Sequence, residues 1–255
     1  MPDTVTSADG VTIAYERSGS GPPLVIVNGA LSTKESGAPL APLLDGDFTL
    51  YRYDRRGRGD SSDRVASTPQ NELQDLAAIV AEIGEAPFVF GQSSGAALSL
   101  EAAASGVPIR GLVVNEPPYV PGPGTSSHTA DELAGLAADG RRDEAVMRFM
   151  RSSGIPEAAI EQTKASPVWP SLLALAHTLA YDVRLLNEGA VPVKRLSTIG
   201  CPVLGTTGSL SAAWAAASVR AVAEAVGDGE WRVLEGQAHN VAPEVLAPVL
   251  CERFF

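Results

Sequence analysis

A serine flanked by glycines lies in residues 91–95 (Gly-Gln-Ser-Ser-Gly), where an apolar run passes into an alanine-rich one. The residues before it, Phe88-Val89-Phe90, have the aromatic and β-branched character of a buried strand, and residues 96–104 favour a helix. Strand, sharp turn and helix form the context in which Gly-x-Ser-x-Gly exposes a nucleophile at the tip of the turn. The turn at residues 91–95 is here called the elbow, and the helix after it the elbow helix. We therefore predict that Ser93 is a nucleophile. The alternative is a turn whose glycines serve only backbone geometry.

A serine nucleophile needs a neighbouring base at neutral pH, and histidine is the usual one. The chain has three histidines: His128 in a loop rich in Pro, Gly and Ser, His177 in a predicted helix, and His239 just after the last predicted strand. Catalytic groups of open parallel sheets gather beyond the carboxyl ends of the strands. Ser93 and His239 both meet this condition, so we predict that His239 is the base. The alternative for His239 is a surface histidine without a role.

The elements that must position these residues alternate along most of the chain. Short apolar runs typical of strands alternate with stretches of helical periodicity, which predicts the α/β fold class, a mostly parallel central sheet with helices on both faces. Two short segments around Asp9-Gly10 predict a hairpin. Strands are predicted at 4–7, 11–17, 24–27, 48–53, 88–90, 112–116, 201–206 and 231–234, and helices at 71–84, 96–104, 211–226 and 243–255.

The alternation of strands and helices is interrupted between residues 117 and 195. Residues 121–124 (Pro-Gly-Pro-Gly) are typical of a loop, and helices are predicted at 130–138, 142–151 and 171–186. No strand is predicted there. We therefore expect residues 117–195 to form a helical cap or lid over the carboxyl edge of the sheet, inserted in a core made of residues 1–116 and 196–255.

Composition limits the classes of function. The chain has 255 residues and a net charge of −11, which argues against nucleic acid as a partner. It has no uninterrupted apolar run long enough for a membrane span and no signal-like start. Its two cysteines, Cys201 and Cys251, form no disulfide framework. We expect a cytoplasmic protein that acts on a small molecule and binds neither nucleic acid nor membrane; the sequence does not indicate an oligomeric state.

Four features together resemble the α/β-hydrolase fold, in its serine-nucleophile branch with a helical cap. They are the turn around Ser93, the Asn28-Gly29 pair, residues 53–59 (Tyr-Asp-Arg-Arg-Gly-Arg-Gly) and the late histidine. The resemblance covers nearly the whole chain. It implies an oxyanion hole made of the backbone N–H groups of Ser94 and Ala30.

One residue departs from the family pattern, and one stretch has two interpretations. Asn28 stands where many relatives have histidine, and we expect its side chain to hold the loop through hydrogen bonds to the backbone. The arginines of residues 53–59 are expected to be structural, as in the family, with an anion site as the alternative.

The resemblance also implies an acidic residue soon after the strand that ends at Thr206, yet no Asp or Glu occurs between Val203 and Ala223. Glu116, at the end of the strand after the elbow helix, is the predicted substitute, accepting the Nδ1–H of His239. The alternatives are that Glu116 only caps the loop before Pro117-Pro118, or that the imidazole is oriented by Ser209, Ser211 or Asp182.

Serine chemistry implies acyl transfer, so the chain resembles haloalkane dehalogenases and epoxide hydrolases, which use a carboxylate, less well. We predict an esterase or lactonase that acts on a small, largely apolar molecule and needs neither a cofactor nor a metal. The alternatives are a tailoring enzyme for cyclisation or acyl transfer and a non-catalytic ligand-binding homologue. His177 and Tyr181 share a helix face, which faces either the cleft or the sheet domain. The predicted pocket residues are Asn28, Leu31, Trp169, His177 and Tyr181.

Overall fold

The computed structural model describes residues 2–64, 67–120 and 125–255; the predicted loop at 121–124 lies outside them. Its strands are β1 (Asp3–Thr6), β2 (Thr12–Gly19), β3 (Pro23–Val27), β4 (Thr49–Tyr53), β5 (Phe88–Gln92), β6 (Gly111–Asn115), β7 (Val203–Gly208) and β8 (Gly229–Leu234). They form one sheet in the order β1-β2-β4-β3-β5-β6-β7-β8. Strand β2 runs antiparallel to β1 and β4, and every pairing from β4 to β8 is parallel.

Helices cover both faces of this sheet, which confirms the predicted α/β class. Every residue of β3 is buried, as expected of a central strand with helices on both sides. Its alternate residues serve different cores: Val25 and Val27 pack with α2 (Pro69–Ile83) and α3 (Ser94–Ala104) on one face. Leu24 and Ile26 pack with α11 (Pro243–Phe254) on the other. Also flanking the sheet are a 3-10 helix (Lys34–Leu40), α1 (Ala41–Leu44), α9 (Val193–Leu196) and α10 (Ala213–Ala225).

Residues 125–189, here called the helical segment, contain no strand, and the structure describes all of them. Their elements are α4 (Ser127–Ala138), α5 (Arg142–Ser152), α6 (Glu157–Lys164), α7 (Trp169–Ala174), a 3-10 turn (Ala176–Thr178), α8 (Leu179–Arg184) and a second 3-10 turn (Asn187–Gly189). The segment has a third apolar core of its own, against which Ala30 and Leu31 of the sheet domain pack.

Two details of the helical segment differ from the sequence prediction. The continuous helix predicted at 171–186 is wrong, because it is divided at the turn around His177; there the Thr178 hydroxyl donates to the carbonyl of Leu175 at 2.9 Å, a side-chain bond that competes with the helical backbone bonds. Helix α6 was not predicted. Its residues are mostly charged or exposed and only Ile160 is buried, so it carries little apolar periodicity.

The sheet determines where the functional residues meet. In parallel register Gln92 pairs with Asn115, Asn115 with Thr206, and Gly208 with Leu234, so β5 to β8 end along one edge. Ser93, Glu116 and His239 follow three of these strands and therefore lie at the same carboxyl edge.

Candidate active site

Ser93 occupies a strained turn between β5 and α3. Its φ of 55° and ψ of −122° are values that a residue with a side chain rarely adopts, at a cost on the order of 1–3 kcal/mol. The turn stays closed because the Ser93 N–H donates to the carbonyl of Asn115 at 2.8 Å. A Cβ at Gly95 would collide with the carbonyl oxygens of Val27 and Asn28. The glycine thus allows the elbow to approach the loop after β3.

Glu116 and His239 form the closest side-chain pair at this edge. The distance from His239 Nδ1 to Glu116 Oε2 is 2.6 Å. The other carboxylate oxygen of Glu116 accepts hydrogen bonds from the Thr207 hydroxyl at 3.0 Å and the Gly208 N–H at 2.9 Å. The side chain of Glu116 is 1% exposed and that of His239 is 42% exposed. The carboxylate is therefore fixed inside the protein, while the imidazole reaches the protein surface.

The charge of Glu116 is stabilised where it lies. Burial alone would raise the pKa of this carboxyl, but hydrogen bonding by His239, the Ser211 hydroxyl and the Gly208 N–H, with the electrostatic attraction of the His239 ring, lowers it to about 2. Glu116 is thus ionised at neutral pH. An ionised carboxylate on Nδ1 keeps the proton on that nitrogen and leaves Nε2 free to accept a proton.

The backbone of His239 is held as well as its ring. Its carbonyl oxygen accepts hydrogen bonds from the side-chain amides of Gln92 at 2.8 Å and Asn115 at 3.1 Å. The Asn115 amide also donates to Gln92 Oε1 at 3.1 Å. Sequence reasoning missed this pair of amides. The available signal was two polar residues at the ends of adjacent strands, each directly before a predicted functional residue.

Trp214 stands beside the imidazole and was also not among the predicted pocket residues. Its ring centroid lies 6.5 Å from that of His239. It is half-buried at the start of α10, at the carboxyl edge of the sheet. An aromatic side chain next to the candidate base gives that side of the cleft an apolar surface.

The loop after β3 lies directly beside the elbow. A Cβ at Gly29 would come within 2.9 Å of Ser93 Cβ and 3.5 Å of Ser93 Oγ. The Asn28 side chain donates to the carbonyl of Thr33 at 3.0 Å, the loop-holding bond that was expected of it. The peptide between Gly29 and Ala30 thus runs close to the serine hydroxyl, on the side where the resemblance implies an oxyanion hole.

The arginines of residues 53–59 are buried and paired. Arg56 binds Asp75 through two bonds of 2.7 Å. Arg55 binds Glu72 through two bonds of 2.7 Å, and both Arg55 and Arg58 bind Asp182 of α8. A guanidinium whose donors are taken up by buried carboxylates is a structural group rather than a free anion site. These contacts support a structural role for the arginines of residues 53–59 rather than an anion site.

The alternatives for orienting His239 have other contacts. The Ser209 hydroxyl accepts the Gly236 N–H at 2.9 Å. Asp182 is taken up by Arg55, Arg58 and Ser94. The Nδ1 atom of His239 is bound to Glu116, and the Ser211 hydroxyl acts on that same carboxyl, whose pKa it helps to lower.

The four predicted pocket residues other than Asn28 divide into two groups. Trp169 and Leu31 belong to the apolar core of the helical segment or pack against it. His177 and Tyr181 do share a face, and both reach Asp63 in the loop after β4, with Tyr181 Oη 3.1 Å and His177 Nε2 3.6 Å from Asp63 Oδ2. These last contacts join the helical segment to the sheet domain.

Two features are absent from residues 2–64, 67–120 and 125–255. No three His, Cys, Asp or Glu side chains there are grouped as ligands of a metal ion. None of the helices combines the length and the apolar character that crossing a bilayer requires.

Comparison with known proteins agrees with the fold described above. A model of the alpha/beta hydrolase family matches residues 24–249. The chain is similar to an alpha/beta hydrolase from Sphaerobacter thermophilus, with 46% identity over 99% of this chain and 100% of that one and a TM-score of 0.93. It shares its fold with a thermophilic esterase from Thermogutta terrifontis (18% identity, 100% and 98% covered, TM-score 0.78). The same holds for the esterase RhEst1 from Rhodococcus sp. ECU1013 (21% identity, 99% and 98% covered, TM-score 0.73).

Proposed function

The chain belongs to the alpha/beta hydrolase family, and we propose that it is a serine hydrolase that cleaves an ester or lactone of a small, largely apolar molecule. The observation that carries the proposal is the 2.6 Å contact between His239 and Glu116 at the sheet edge that also carries the strained, half-buried Ser93. A nucleophile, a base and an orienting carboxylate are the three groups that acyl transfer by serine requires.

The proposed reaction proceeds through an acyl-enzyme. Ser93 Oγ attacks the substrate carbonyl carbon while its proton passes to His239 Nε2, and the carbonyl oxygen becomes an oxyanion. The tetrahedral intermediate then collapses, the C–O bond to the leaving group breaks, and His239 returns the proton to the leaving oxygen. Water, deprotonated by His239, attacks the acyl carbon; the bond to Ser93 Oγ then breaks, His239 returns the proton to Oγ, and the acid is released. Glu116 stabilises the imidazolium that forms twice in this cycle.

The proposed oxyanion hole consists of the N–H groups of Ser94 and Ala30. Ser94 is the first residue of α3, so its N–H is one of the helix donors that has no partner inside the helix and lies at the positive end of the helix dipole. Ala30 belongs to the loop that approaches Ser93. Donors fixed before the reaction stabilise the developing negative charge without a reorganisation cost.

Two features support the proposed substrate class. The half-buried Trp214 beside His239 offers an aromatic surface to the group bound next to the base. The helical segment, which we propose to act as a cap, packs its apolar core against Ala30 and Leu31 next to the elbow. Esterase is the activity named for two proteins that share this fold. Apolar surfaces with a few fixed polar groups suit a small hydrophobic acyl compound.

The test is turnover of p-nitrophenyl acetate and p-nitrophenyl butyrate by the wild type and by Ser93→Ala. We expect the wild type to hydrolyse both esters and Ser93→Ala to lose at least about 10⁴-fold in kcat, because the attacking oxygen is gone. Ser36→Ala, at an exposed serine of the 3-10 helix, is the control and should match the wild type. A wild type that turns over neither ester, or a Ser93→Ala variant as active as the control, would remove the proposal.

A further inference from the structure

We infer that Arg58 and Asp182 are positioning residues that orient the oxyanion hole, and that Asp182 makes this orientation depend on how the helical segment sits on the sheet domain. The inference rests on the proposed function, since it concerns the two N–H donors assigned above. It gives a role to a buried ionic cluster that the triad does not use.

The first contact fixes the peptide between Gly29 and Ala30. The Nη1 group of Arg58 donates to the Gly29 carbonyl oxygen at 2.6 Å. The peptide is trans, so its C=O and its N–H point in opposite directions. A guanidinium that holds the carbonyl on the buried side therefore directs the Ala30 N–H away from itself. The Cβ position of Gly29 faces Ser93, which places this peptide beside the nucleophile.

The second contact fixes Ser94, the residue that supplies the other donor. Its hydroxyl donates to Asp182 Oδ1 at 2.7 Å and accepts a hydrogen bond from Arg55 Nη1 at 3.2 Å. Arg55 Nη1 also reaches the Asn28 carbonyl at 3.3 Å. The side chain of Ser94 is thus fixed between two buried charged groups. Rotation of the first peptide of α3 would break these bonds.

One carboxylate joins the two halves of the hole. Asp182 accepts bonds of 2.9 Å at both oxygens from Arg58 Nη2, and one of 2.8 Å from Arg55. Although burial alone would raise the pKa of Asp182, Arg58 and Arg55 lower it, so the carboxylate stays charged. Because Asp182 comes from α8, the helical segment supplies the anion that holds both arginines against the elbow.

Stability alone does not explain this cluster. A buried ion pair contributes little to stability compared with apolar side chains of the same volume, because desolvation of both charges offsets their attraction. Arg58 and Asp182 are each only 1% exposed. A fork of fixed donors is suited to holding a carbonyl oxygen in one direction, which an apolar side chain cannot do.

The test compares Asp182→Asn with Asp75→Asn. Asp75, on α2, forms an equally buried, two-bond pair with Arg56. Arg56 lies on the same loop as Arg58, but this pair has no hydrogen bond to the elbow or to residues 28–30. Both variants are measured for thermal midpoint, for kcat and KM on p-nitrophenyl butyrate, and for Ki of an aryl trifluoromethyl ketone. That ketone adds Ser93 Oγ at its carbonyl carbon, the proton passes to His239, and the resulting alkoxide occupies the oxyanion hole.

We expect Asp182→Asn to lower kcat about 10- to 100-fold with KM within about threefold, and to raise Ki for the ketone by a similar factor. This loss in kcat is smaller than the loss of about 10²–10³-fold that follows when one oxyanion-hole donor is deleted, because the N–H groups remain but are less well aligned. Asp75→Asn should lower the thermal midpoint and leave kcat and Ki near the wild type. Equal kinetic losses in the two variants would overturn the inference and leave the proposed function standing.

Arg58→Lys and Ser94→Ala keep the inference testable if Asp182→Asn does not fold. Lysine keeps the charge but not the fork that reaches Gly29 and Asp182 together, so kcat and Ki should change as above. Ser94→Ala keeps the donor N–H and removes its anchor, and should show the same pattern more weakly. Folded variants with wild-type kcat and Ki would overturn the inference. A wild type without ester turnover would instead remove the proposed function, and the inference with it.

Discussion

Glu116 and Asp182 are both buried carboxylates, and their partners differ in kind. Glu116 lies at the sheet edge and binds a hydroxyl, a backbone N–H and an imidazole. Asp182 lies on α8 in the helical segment and binds two guanidinium groups and the Ser94 hydroxyl. Both are almost inaccessible to solvent. Burial therefore does not distinguish them.

The partners show which carboxylate suits the triad. A guanidinium is permanently charged, so Asp182 has partners that cannot take part in proton transfer. In the proposed acyl transfer the imidazole takes up and returns a proton, so Glu116 binds a partner whose charge would change during the reaction. The difference teaches that, at equal burial, the partner separates the two proposed roles: the carboxylate bound to an imidazole serves proton transfer, and the carboxylate between arginines positions the groups around the nucleophile.

The largest effect that separates the two carboxylates should come from Glu116→Gln. We expect kcat to fall about 10³- to 10⁴-fold, because the amide neither fixes the imidazole tautomer nor stabilises the imidazolium. The measurement is steady-state hydrolysis of p-nitrophenyl butyrate. Glu101→Gln is the control, since its carboxylate pairs with Arg195 away from the sheet edge. If both variants keep wild-type kcat, Glu116 is not the orienting acid.

The second effect concerns stability and should fall on Asp182. Asp182→Leu leaves Arg58 buried without its carboxylate, which should lower the free energy of unfolding by about 3–5 kcal/mol. Urea denaturation measures it. Asp131→Leu, which breaks the exposed pair with Arg184 in the same segment, should cost no more than about 1 kcal/mol. Similar losses in the two variants would mean that the buried cluster does not hold the segment in place.

The third prediction uses the pH dependence of Glu116. Its pKa is lowered from 4.5 to about 2 in the folded protein, so the folded state binds fewer protons than the unfolded chain between these values. The resulting stability is present above pH 4.5, on the order of 3 kcal/mol, and is lost as pH falls towards 2. Urea unfolding at pH 6 and pH 3 should show the gap between wild type and Glu116→Gln narrowing by about half. A constant gap would contradict the assignment of this lowered pKa to Glu116.

The smallest effect should come from the amides behind His239. Gln92→Ala removes one of the two donors to the His239 carbonyl, and we expect kcat to fall about five- to tenfold, because Asn115 still holds the backbone. The kinetic assay on p-nitrophenyl butyrate measures this loss, with the exposed Gln70→Ala as control. An unchanged kcat would show that the bond of Glu116 to the ring suffices on its own.

Much of the sheet edge was predictable from the sequence because strand, turn and helix are local patterns. The order of apolar runs and glycines predicted the sheet and placed Ser93, Glu116 and His239 after three of its strands. Glu116 was the predicted substitute because the family resemblance implies an acid after β7, none occurs there, and Glu116 ends the strand that follows the helix after Ser93. In the structure Glu116 contacts His239 Nδ1, the contact on which that prediction depends.

Two of the features that were missed depend on contacts far apart in the chain. Asp182 meets Arg58 across 124 residues, and Gln92 meets His239 across 147, so neither partnership leaves a local pattern. Two others are local but give a weak signal: helix α6 lacks an apolar stripe, and the turn around His177 depends on one hydroxyl bond between residues three positions apart.

The most direct test of the central claim is to label the protein with an alkyl fluorophosphonate and locate the adduct by peptide mass spectrometry. The Ser93 oxygen should displace fluoride at phosphorus, and the adduct should lie on the peptide that contains Ser93. Labelling should be slow in Glu116→Gln and absent in Ser93→Ala. An adduct on another serine, or none on the folded wild type, would contradict the claim that Ser93 is an activated nucleophile.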